Sequence, residues 1–404
     1  MKIFHPKNLV LAAFSALLLI FNISCGGGGG AVVAGGGIDG TGIISTGIIA
    51  AFGSIYVNGS EFDTSDAVII VDGIIIGTGN EVVLDNLDVG RVVTVEGSAA
   101  NEDESFIADR VLYRDNVEGP VQSIKSIDAK TLEIVVLGQT VVLNVNTEFK
   151  GTGFDTLALD DVVEVSGFYD DTGSIWATFI GKTGELTPGL AVEVTGYVTN
   201  LNSSQMTFTI NNLSVDYLAA DTNSLPDGGL AEGMLVEVDG SLDETGTILL
   251  AATVGSGDIL DLENADQIEI AGFVTGLVSP SEFRVDNQLV IVDAETLFVD
   301  GGMEDIIPGA KLEAEGSLVD GILHAWEIEF WKPDQVEVED IVTAIVSTAE
   351  FAVGDQVIQT NENTVFDGGT PDDIEIGLLL EIKGVPTDID YSIIIADKVS
   401  FEME

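Results

Sequence analysis

Few side chains in this sequence are capable of nucleophilic or acid–base chemistry. The 404 residues include two histidines and one cysteine, and His324 is the histidine that lies far from the N-terminus. His324 precedes an alanine, at the place where Ile107, Trp176, Leu250 and Ile395 stand in other copies of a repeated strand. We interpret this place as a packing or surface-strand position, so His324 is expected to be chemically dispensable. No Gly-x-Ser-x-Gly turn follows a strand and opens a helix, and zinc sites need clusters of His and Cys. The sequence therefore predicts no catalytic residue.

Carboxylates are the abundant reactive groups, with 68 Asp and Glu against 14 Lys and Arg. Glycoside hydrolysis uses carboxylate pairs, but adjacent acids such as Asp160 and Asp161 are typical of solvated turns in so acidic a chain. Calcium is a better-supported ion, because hard cations take several oxygen ligands. Turns that contain Asp300 and Asp367 recur at matching places in two repeats. We expect no cofactor and no metal: Asp300 and Asp367 are the candidates for calcium, but ordinary glycine-containing turns are the favoured interpretation of both.

Three tryptophans, Trp176, Trp326 and Trp331, are the remaining candidates for ligand contact. Aromatic rings stack on sugars, and some small β-barrels bind oligosaccharides. The three do not form a platform that repeats along the chain, so packing or a protein contact is favoured over sugar binding.

The N-terminus resembles an export signal. Lys2 and Lys7 provide a basic start, and an apolar run extends from Leu9 to Phe21. Residues 22–25 then resemble the lipobox of bacterial lipoproteins, which implies a signal over residues 1–24 and lipidation of Cys25. Gly26 after the cysteine implies the outer membrane, on the periplasmic or the exterior side. A signal peptide cut nearby and an uncleaved anchor stay open as alternatives.

Residues 25–44 are rich in glycine and are expected to form a flexible tether between this lipid anchor and the folded part. No other apolar stretch approaches the roughly 18–20 residues that a membrane-spanning helix needs.

The formal net charge of −54 restricts the classes of partner. Nucleic-acid binding proteins need a basic surface, so we expect no nucleic-acid partner. An acidic surface also repels anionic lipid headgroups, while it is compatible with divalent cations or cationic partners. The single cysteine excludes an intrachain disulfide.

A strand with alternating apolar and polar residues recurs roughly every 70 residues and predicts a tandem repeat. It ends at a glycine each time, and its apolar residues are expected to face a core. These apolar pairs are Val93/Val95, Val163/Val165, Val236/Val238, Leu312/Ala314 and Leu380/Ile382. A turn and a second strand follow, and each module opens on a strand that carries a glycine near its middle, which permits sharp coiling.

These signals predict an all-β chain of five small OB-like Greek-key β-barrel modules, with no evident helix. The alternative is a set of small β-sandwiches. The predicted modules are numbered 1 to 5 and cover residues 45–116, 117–190, 191–266, 267–334 and 335–404. Linkers are nearly absent, so we expect a stiff rod or arc of touching modules.

Three motifs resemble a known family, the bacterial exported repeats called domain of unknown function 5666. They are residues 117–121 (VEGPV), residues 363–366 (NTVF) and the strand pattern Val-Glu-Val-x-Gly, and the resemblance covers residues 45–404. The family name implies no activity. Module 5 departs from the pattern because Asp340 stands where the other modules have the mid-strand glycine, so its barrel is expected to open there.

We therefore expect a non-enzymatic, membrane-tethered repeat protein outside the cytoplasm, acting as a spacer or binding module for an envelope protein or glycan. One alternative is a calcium-stabilised adhesive rod. The other is a carbohydrate-active hydrolase that uses carboxylates.

Overall fold

The structure is a computed structural model that describes residues 42–401, except residues 53, 59, 100–105, 227–228, 258–263, 332–334, 355 and 388–392. Module 1 contains β1 (Ile43–Phe52), β2 (Ile55–Val57), β3 (Ser60–Asp63), β4 (Val68–Val71), β5 (Ile74–Thr78), α1 (Asn80–Asn86), β6 (Val92–Ala99) and β7 (Phe106–Tyr113). Module 2 contains β8 (Val117–Ser126), β9 (Leu132–Val136), β10 (Gln139–Leu143), β11 (Glu148–Lys150), β12 (Asp161–Tyr169) and β13 (Ile175–Glu185).

The other three modules contain the same kind of elements. Module 3 contains β14 (Ala191–Tyr197), β15 (Thr199–Asn202), β16 (Thr207–Ile210), β17 (Leu213–Asp216), β18 (Leu235–Leu242) and β19 (Ile248–Ser256). Module 4 begins at β20 (Ala265–Ser279) and continues with β21 (Glu282–Val285), β22 (Gln288–Ile291), β23 (Leu297–Val299), a 3-10 turn (Met303–Asp305), β24 (Lys311–Val319) and β25 (Ile322–Trp331). Module 5 contains β26 (Val336–Ser347), β27 (Glu350–Val353), β28 (Gln356–Gln359), β29 (Val365–Asp367), a 3-10 turn (Pro371–Asp373), β30 (Leu379–Pro386) and β31 (Ile393–Phe401).

The strands of module 1 close into a small barrel. β1 pairs with β2, β2 pairs with β3, and β3 runs parallel to β7. β6 then lies between β7 and β1 and closes the ring. The later sets of strands close in the same order, with β10, β17, β22 and β28 each parallel to the last long strand of its set. This is an OB-like Greek-key order, so the all-β prediction is confirmed and the sandwich alternative is not adopted.

The alternation of the repeated strand gives the core as predicted. All ten of its apolar residues named above are buried, and each is at most 1% exposed. Each set of strands surrounds a hydrophobic core, and the cores of modules 2 and 3 are continuous with one another. The domain boundaries at 116, 190, 266 and 334 stay predictions.

The glycine that ends each repeated strand lies at a bulge. In module 2 the register between β12 and β13 shifts at Ser166/Gly167, and the carbonyl oxygen of Trp176 lies where a Cβ on Gly167 would be. The corresponding glycines Gly97, Gly240, Gly316 and Gly384 meet the carbonyl oxygens of Ile107, Leu250, His324 and Ile395 in the same way. The sequence repeats two features, the glycine and the residue before the alanine. The structure shows that these two residues form one close backbone contact.

Two expectations about local structure are wrong. Module 5 does not open at Asp340, because β26 still pairs with both β27 and β30, and β28 still pairs with β31. A short helix, α1, and two 3-10 turns are also present where no helix was expected. Among the described residues no helix is long and apolar enough to cross a membrane.

Contacts between modules are not limited to neighbours in the sequence. β8 of module 2 pairs antiparallel with β14 of module 3, which opposes Glu118 to Glu193. β1 of module 1, however, pairs in parallel with β20 of module 4, and Ile44 packs into the core of module 4. Modules 1 and 4 are separated by two modules in the sequence, so the short linkers alone do not indicate which modules touch.

Candidate functional site

A cavity of about 330 Å³ lies where modules 1, 2, 4 and 5 meet. One wall is apolar, because Phe168 of module 2 and Ala271 and Phe273 of module 4 form a small core of their own between modules. Trp176 packs on this core, with its ring centroid 5.6 Å from that of Phe273. Aromatic pairs at this separation fix each other's orientation, so this wall is built by contacts between modules.

The cavity is also lined by Trp331, the last residue of β25. Its ring contacts the ammonium groups of two lysines, Lys311 at 4.9 Å and Lys383 at 4.7 Å from the ring centroid. The indole Nε1 of Trp331 is buried and has no hydrogen-bond acceptor. Because this atom is inaccessible to solvent, the N–H does not face the open cavity.

Amide side chains give the cavity further polar groups. Asn144, Asn146, Gln335 and Gln356 line it. The Nδ2 of Asn146 donates to the backbone oxygen of Gln335 at 3.0 Å and so connects module 2 to module 5. A cavity with mostly apolar walls and a few fixed polar groups is the usual form of a small-molecule site.

Glu148 of β11 is the one carboxylate that lines the cavity among the residues that the structure describes. Burial raises the pKa of its carboxyl above the ordinary value. Canonical glycosidases need two carboxyl groups on either side of the scissile bond, and this lining offers one.

The polar residues of the repeated strand face the boundaries between modules. The Nη2 of Arg91 in module 1 lies 3.1 Å from Oε2 of Glu164 in module 2, and its Nη1 contacts the other oxygen of the same carboxylate. The guanidinium also lies over the rings of Tyr113 and Phe179, and the Tyr113 hydroxyl contacts Glu164. Period-2 alternation places Glu164 outside its own barrel but gives no information about the neighbour that covers it.

The candidate residues from the sequence analysis lie at different places in the structure. Trp176 and Trp331 come together at one cavity, which their unrelated repeat positions did not indicate, whereas Trp326 is 42% exposed and does not line it. Cys25 and the rest of residues 1–41 lie outside the described residues. His324 is an exposed residue of β25, so it belongs to a surface strand and not to the core.

The two calcium candidates lie at strand ends. Asp300 is an exposed residue with a φ of +55°, directly after β23. It does not belong to the group of three carboxylates within the described residues whose spacing suits a metal ion. Asp367 ends β29, and its side chain lies outside the described part of the chain. The turn after Asp300 is held by Asp305, whose Oδ2 accepts from the backbone N of Gly302 at 3.0 Å, and Asp373 does the same for Thr370.

The fold and the cavity define a tandem-repeat protein of small closed β-barrels. The chain belongs to the family described as Domain of unknown function (DUF5666), whose model matches residues 118–181, 195–254, 271–329 and 341–392. No curated protein matches the chain.

Proposed function

We propose that this chain is a non-enzymatic repeat protein, tethered outside the cytoplasm by a lipid on Cys25, and that the cavity between its modules binds a short glycan. The observation that carries the glycan proposal is the presence of Trp331, Trp176 and Phe273 together in the lining of one cavity. Sugars present apolar C–H faces to aromatic rings and hydroxyl groups to polar side chains.

The rest of the lining fits a glycan that is neutral or cationic. Amide groups hydrogen-bond hydroxyls in either direction, and five amide side chains line the cavity, namely the four above and Asn58. The net charge of −54 disfavours anionic partners such as phosphate polymers, because long-range repulsion opposes their approach. The volume of about 330 Å³ lies at the lower end of the range for ligand pockets. The cavity therefore suits a short glycan and not a long polymer.

The hydrolase alternative has less support at this cavity because Glu148 has no second carboxylate beside it in the described lining. The alternative is tested in the same experiment as binding. Release of reducing ends from a bound glycan would favour the hydrolase and contradict the non-enzymatic proposal.

The test is binding of the mature full-length protein to an array of neutral bacterial envelope oligosaccharides, followed by calorimetry with those that bind. Trp331→Ala removes the ring from the lining, so we expect at least tenfold weaker binding. Trp326→Ala is the matched control, because Trp326 is exposed and does not line the cavity. Equal loss in both variants, or no binding by the parent protein, would contradict glycan binding at this cavity.

The tether is tested separately. Replacing Cys25 with Ala removes the sulfur that would carry the lipid, and we expect the variant to leave the membrane fraction for the periplasm or medium. A variant that fractionates like the parent would contradict lipidation, without bearing on the cavity.

A further inference from the structure

A second group of polar side chains lies at the junction of modules 1, 2 and 3, away from the cavity. Asp72 of module 1 meets Glu193 and Glu237 of module 3, and one carboxylate oxygen from each lies within 4.8 Å of the other two. Glu193 and Glu237 are on the adjacent strands β14 and β18, and Asp72 is in the turn between β4 and β5.

The local structure fixes where these three side chains point. Asp72 has a φ of +48° in an Asp-Gly hairpin turn, and its backbone N donates to the carbonyl oxygen of Tyr113 at 3.0 Å, which holds the turn against β7. In module 3 Thr195 is directly opposite Glu237 across β14 and β18. Glu193 lies two residues before Thr195 and therefore on the same face of the sheet.

Two more buried polar side chains border this cluster without a partner. Asp115, between β7 and β8, is 5% exposed, and its Oδ1 has no hydrogen-bond partner. Its charge interacts with those of Asp72 and Glu237. Thr195 is 6% exposed, and its Oγ1 also has no partner. Nearly all buried polar groups in proteins are paired, so these two oxygens indicate that the cluster is incomplete without a positively charged group.

Arg114 supplies part of the positive charge. Its Nη2 lies 2.8 Å from Oε2 of Glu237, and its Nη1 donates to the backbone oxygen of Gly257 at 2.9 Å. The guanidinium is therefore held beside one carboxylate of the cluster, which leaves the negative charges of Asp72, Asp115 and Glu193 in excess.

Module 4 has an equivalent pair of glutamates, but the charged groups around that pair are different. Glu269 and Glu313 are diagonal across β20 and β24, as Glu193 and Glu237 are across β14 and β18. There burial and the charge of Glu269 raise the pKa of Glu313, the charge of Glu329 adds to this, and the charge of Lys383 opposes it.

Burial first, and the neighbouring carboxylates after it, raise the pKa of Asp72 to about 6 and that of Glu193 to about 11. These directions mean that the negative forms are unfavourable together unless a cation joins them. Protons on the carboxyls are the competing way to remove the repulsion.

We propose that Asp72, Glu193 and Glu237 form a calcium site that connects module 1 to module 3, with the buried Asp115 beside it. Ca²⁺ takes carboxylate, carbonyl and hydroxyl oxygens at about 2.3–2.6 Å, so two ligand oxygens on opposite sides of the ion lie about 4.6–5.2 Å apart. The spacing of up to 4.8 Å between the three carboxylate oxygens fits that arrangement. Because Asp72 is in a different module from the two glutamates, the ion holds the hairpin of β4 and β5 against β14 and β18.

The test is calorimetric titration of CaCl₂ into the metal-free full chain at fixed ionic strength, with thermal melts in parallel. We expect one discrete site and a melting temperature that rises progressively with calcium. Asp72→Asn and Glu193→Gln should each weaken the affinity at least tenfold. Asn and Gln are neutral and close in shape to the protonated carboxyls, so the metal-free melting temperatures should equal or exceed that of the parent protein, which separates lost binding from lost folding.

Asp300→Asn is the matched control, because Asp300 is an exposed aspartate in a turn far along the chain and should leave the affinity unchanged. Three results would overturn the proposal. The first is the absence of a calcium-specific heat. The second is loss of the site in Asp300→Asn but not in Asp72→Asn. The third is weak binding of many calcium ions that no single variant alters. The first result would mean that protons and not calcium neutralise the cluster.

Discussion

In module 5 the larger residue, Asp340, is on the strand and the glycine, Gly354, is in the turn, which is the reverse of the arrangement in module 1. In module 1 Gly47 of β1 lies against the side chain of Asn58, in the turn after β2. In module 5 the side chain of Asp340 occupies the space above the corresponding turn, and the turn residue is Gly354, with a φ of +55°. In both modules one side chain fills the space between the strand and the turn. This explains why the barrel stays closed at Asp340.

We expect this exchange to appear as coupling in a double-mutant cycle. Gly354→Asn inserts a side chain into the space of Asp340 and should reduce the free energy of unfolding by about 1–3 kcal/mol, as overpacking does. Asn tolerates a positive φ, so backbone strain contributes little to the loss. Adding Asp340→Gly should recover most of it, which chemical denaturation of the three variants would measure. Additive effects of the two substitutions would contradict the exchange.

The bulge glycine gives a second prediction. Gly167→Ala places a Cβ on the carbonyl oxygen of Trp176, so one strand must move, and we expect a loss of about 2–4 kcal/mol in the free energy of unfolding. Gly184→Ala on β13 is the control, because nothing lies within 4 Å of a Cβ there. Urea denaturation should give a change near zero for Gly184→Ala. A similar change in both variants would mean that glycine is not required at the bulge.

The sequence predicts the barrel better than it predicts the surfaces between barrels. Val163 and Val165 are correctly assigned to the core because alternation depends only on the strand itself. The same alternation assigns Glu164 and Glu237 to the outside, and solvent is the default partner for an outward residue. Their true neighbours, Arg91 and Asp72, come from other modules, and no local pattern encodes that contact. Glutamate recurs at this position in modules 2 to 5, and this recurrence was a signal that these glutamates share a structural environment.

Ionic strength should affect the stability of the whole chain. The 68 acidic residues repel one another over about 30 Å at 0.01 M salt and over about 8 Å at physiological salt. We therefore expect the melting temperature in a chelator-containing buffer to rise as NaCl is increased from 10 mM to 150 mM. A melting temperature that is constant or falls over this range would contradict net repulsion in the folded state.

The last prediction concerns pH and the glutamate pair of module 4. Burial raises the pKa of Glu313 well above its ordinary value of 4.5, and the charge of Glu269 and a hydrogen bond with it act in the same direction. Lys383 opposes the shift, and it lies 2.8 Å from Glu329. The Oγ of Ser45 donates to Oε2 of Glu269 at 3.1 Å, which holds this carboxylate as an acceptor.

The sign of the pH effect follows from proton counts. Above about pH 4.5 the unfolded chain has lost the proton of Glu313 while the folded chain keeps it, so the folded state binds more protons and the free energy of unfolding falls as pH rises. The decrease begins near the unfolded pKa and continues up to the folded pKa. Glu313→Gln keeps a donor to Glu269 and does not titrate, so this part of the pH dependence should disappear and the variant should be more stable than the parent at pH 8.

The measurement is urea denaturation of the parent and the variant between pH 4 and pH 8 at constant ionic strength. Glu295→Gln is the control, because Glu295 is an exposed residue of the same module and its replacement leaves the buried pair intact. We expect the two curves of the parent and Glu295→Gln to have the same slope, and that of Glu313→Gln to be flatter. If Glu313→Gln has the same slope as the parent and lower stability throughout, then Glu313 is ionised in the folded protein and Lys383 neutralises it.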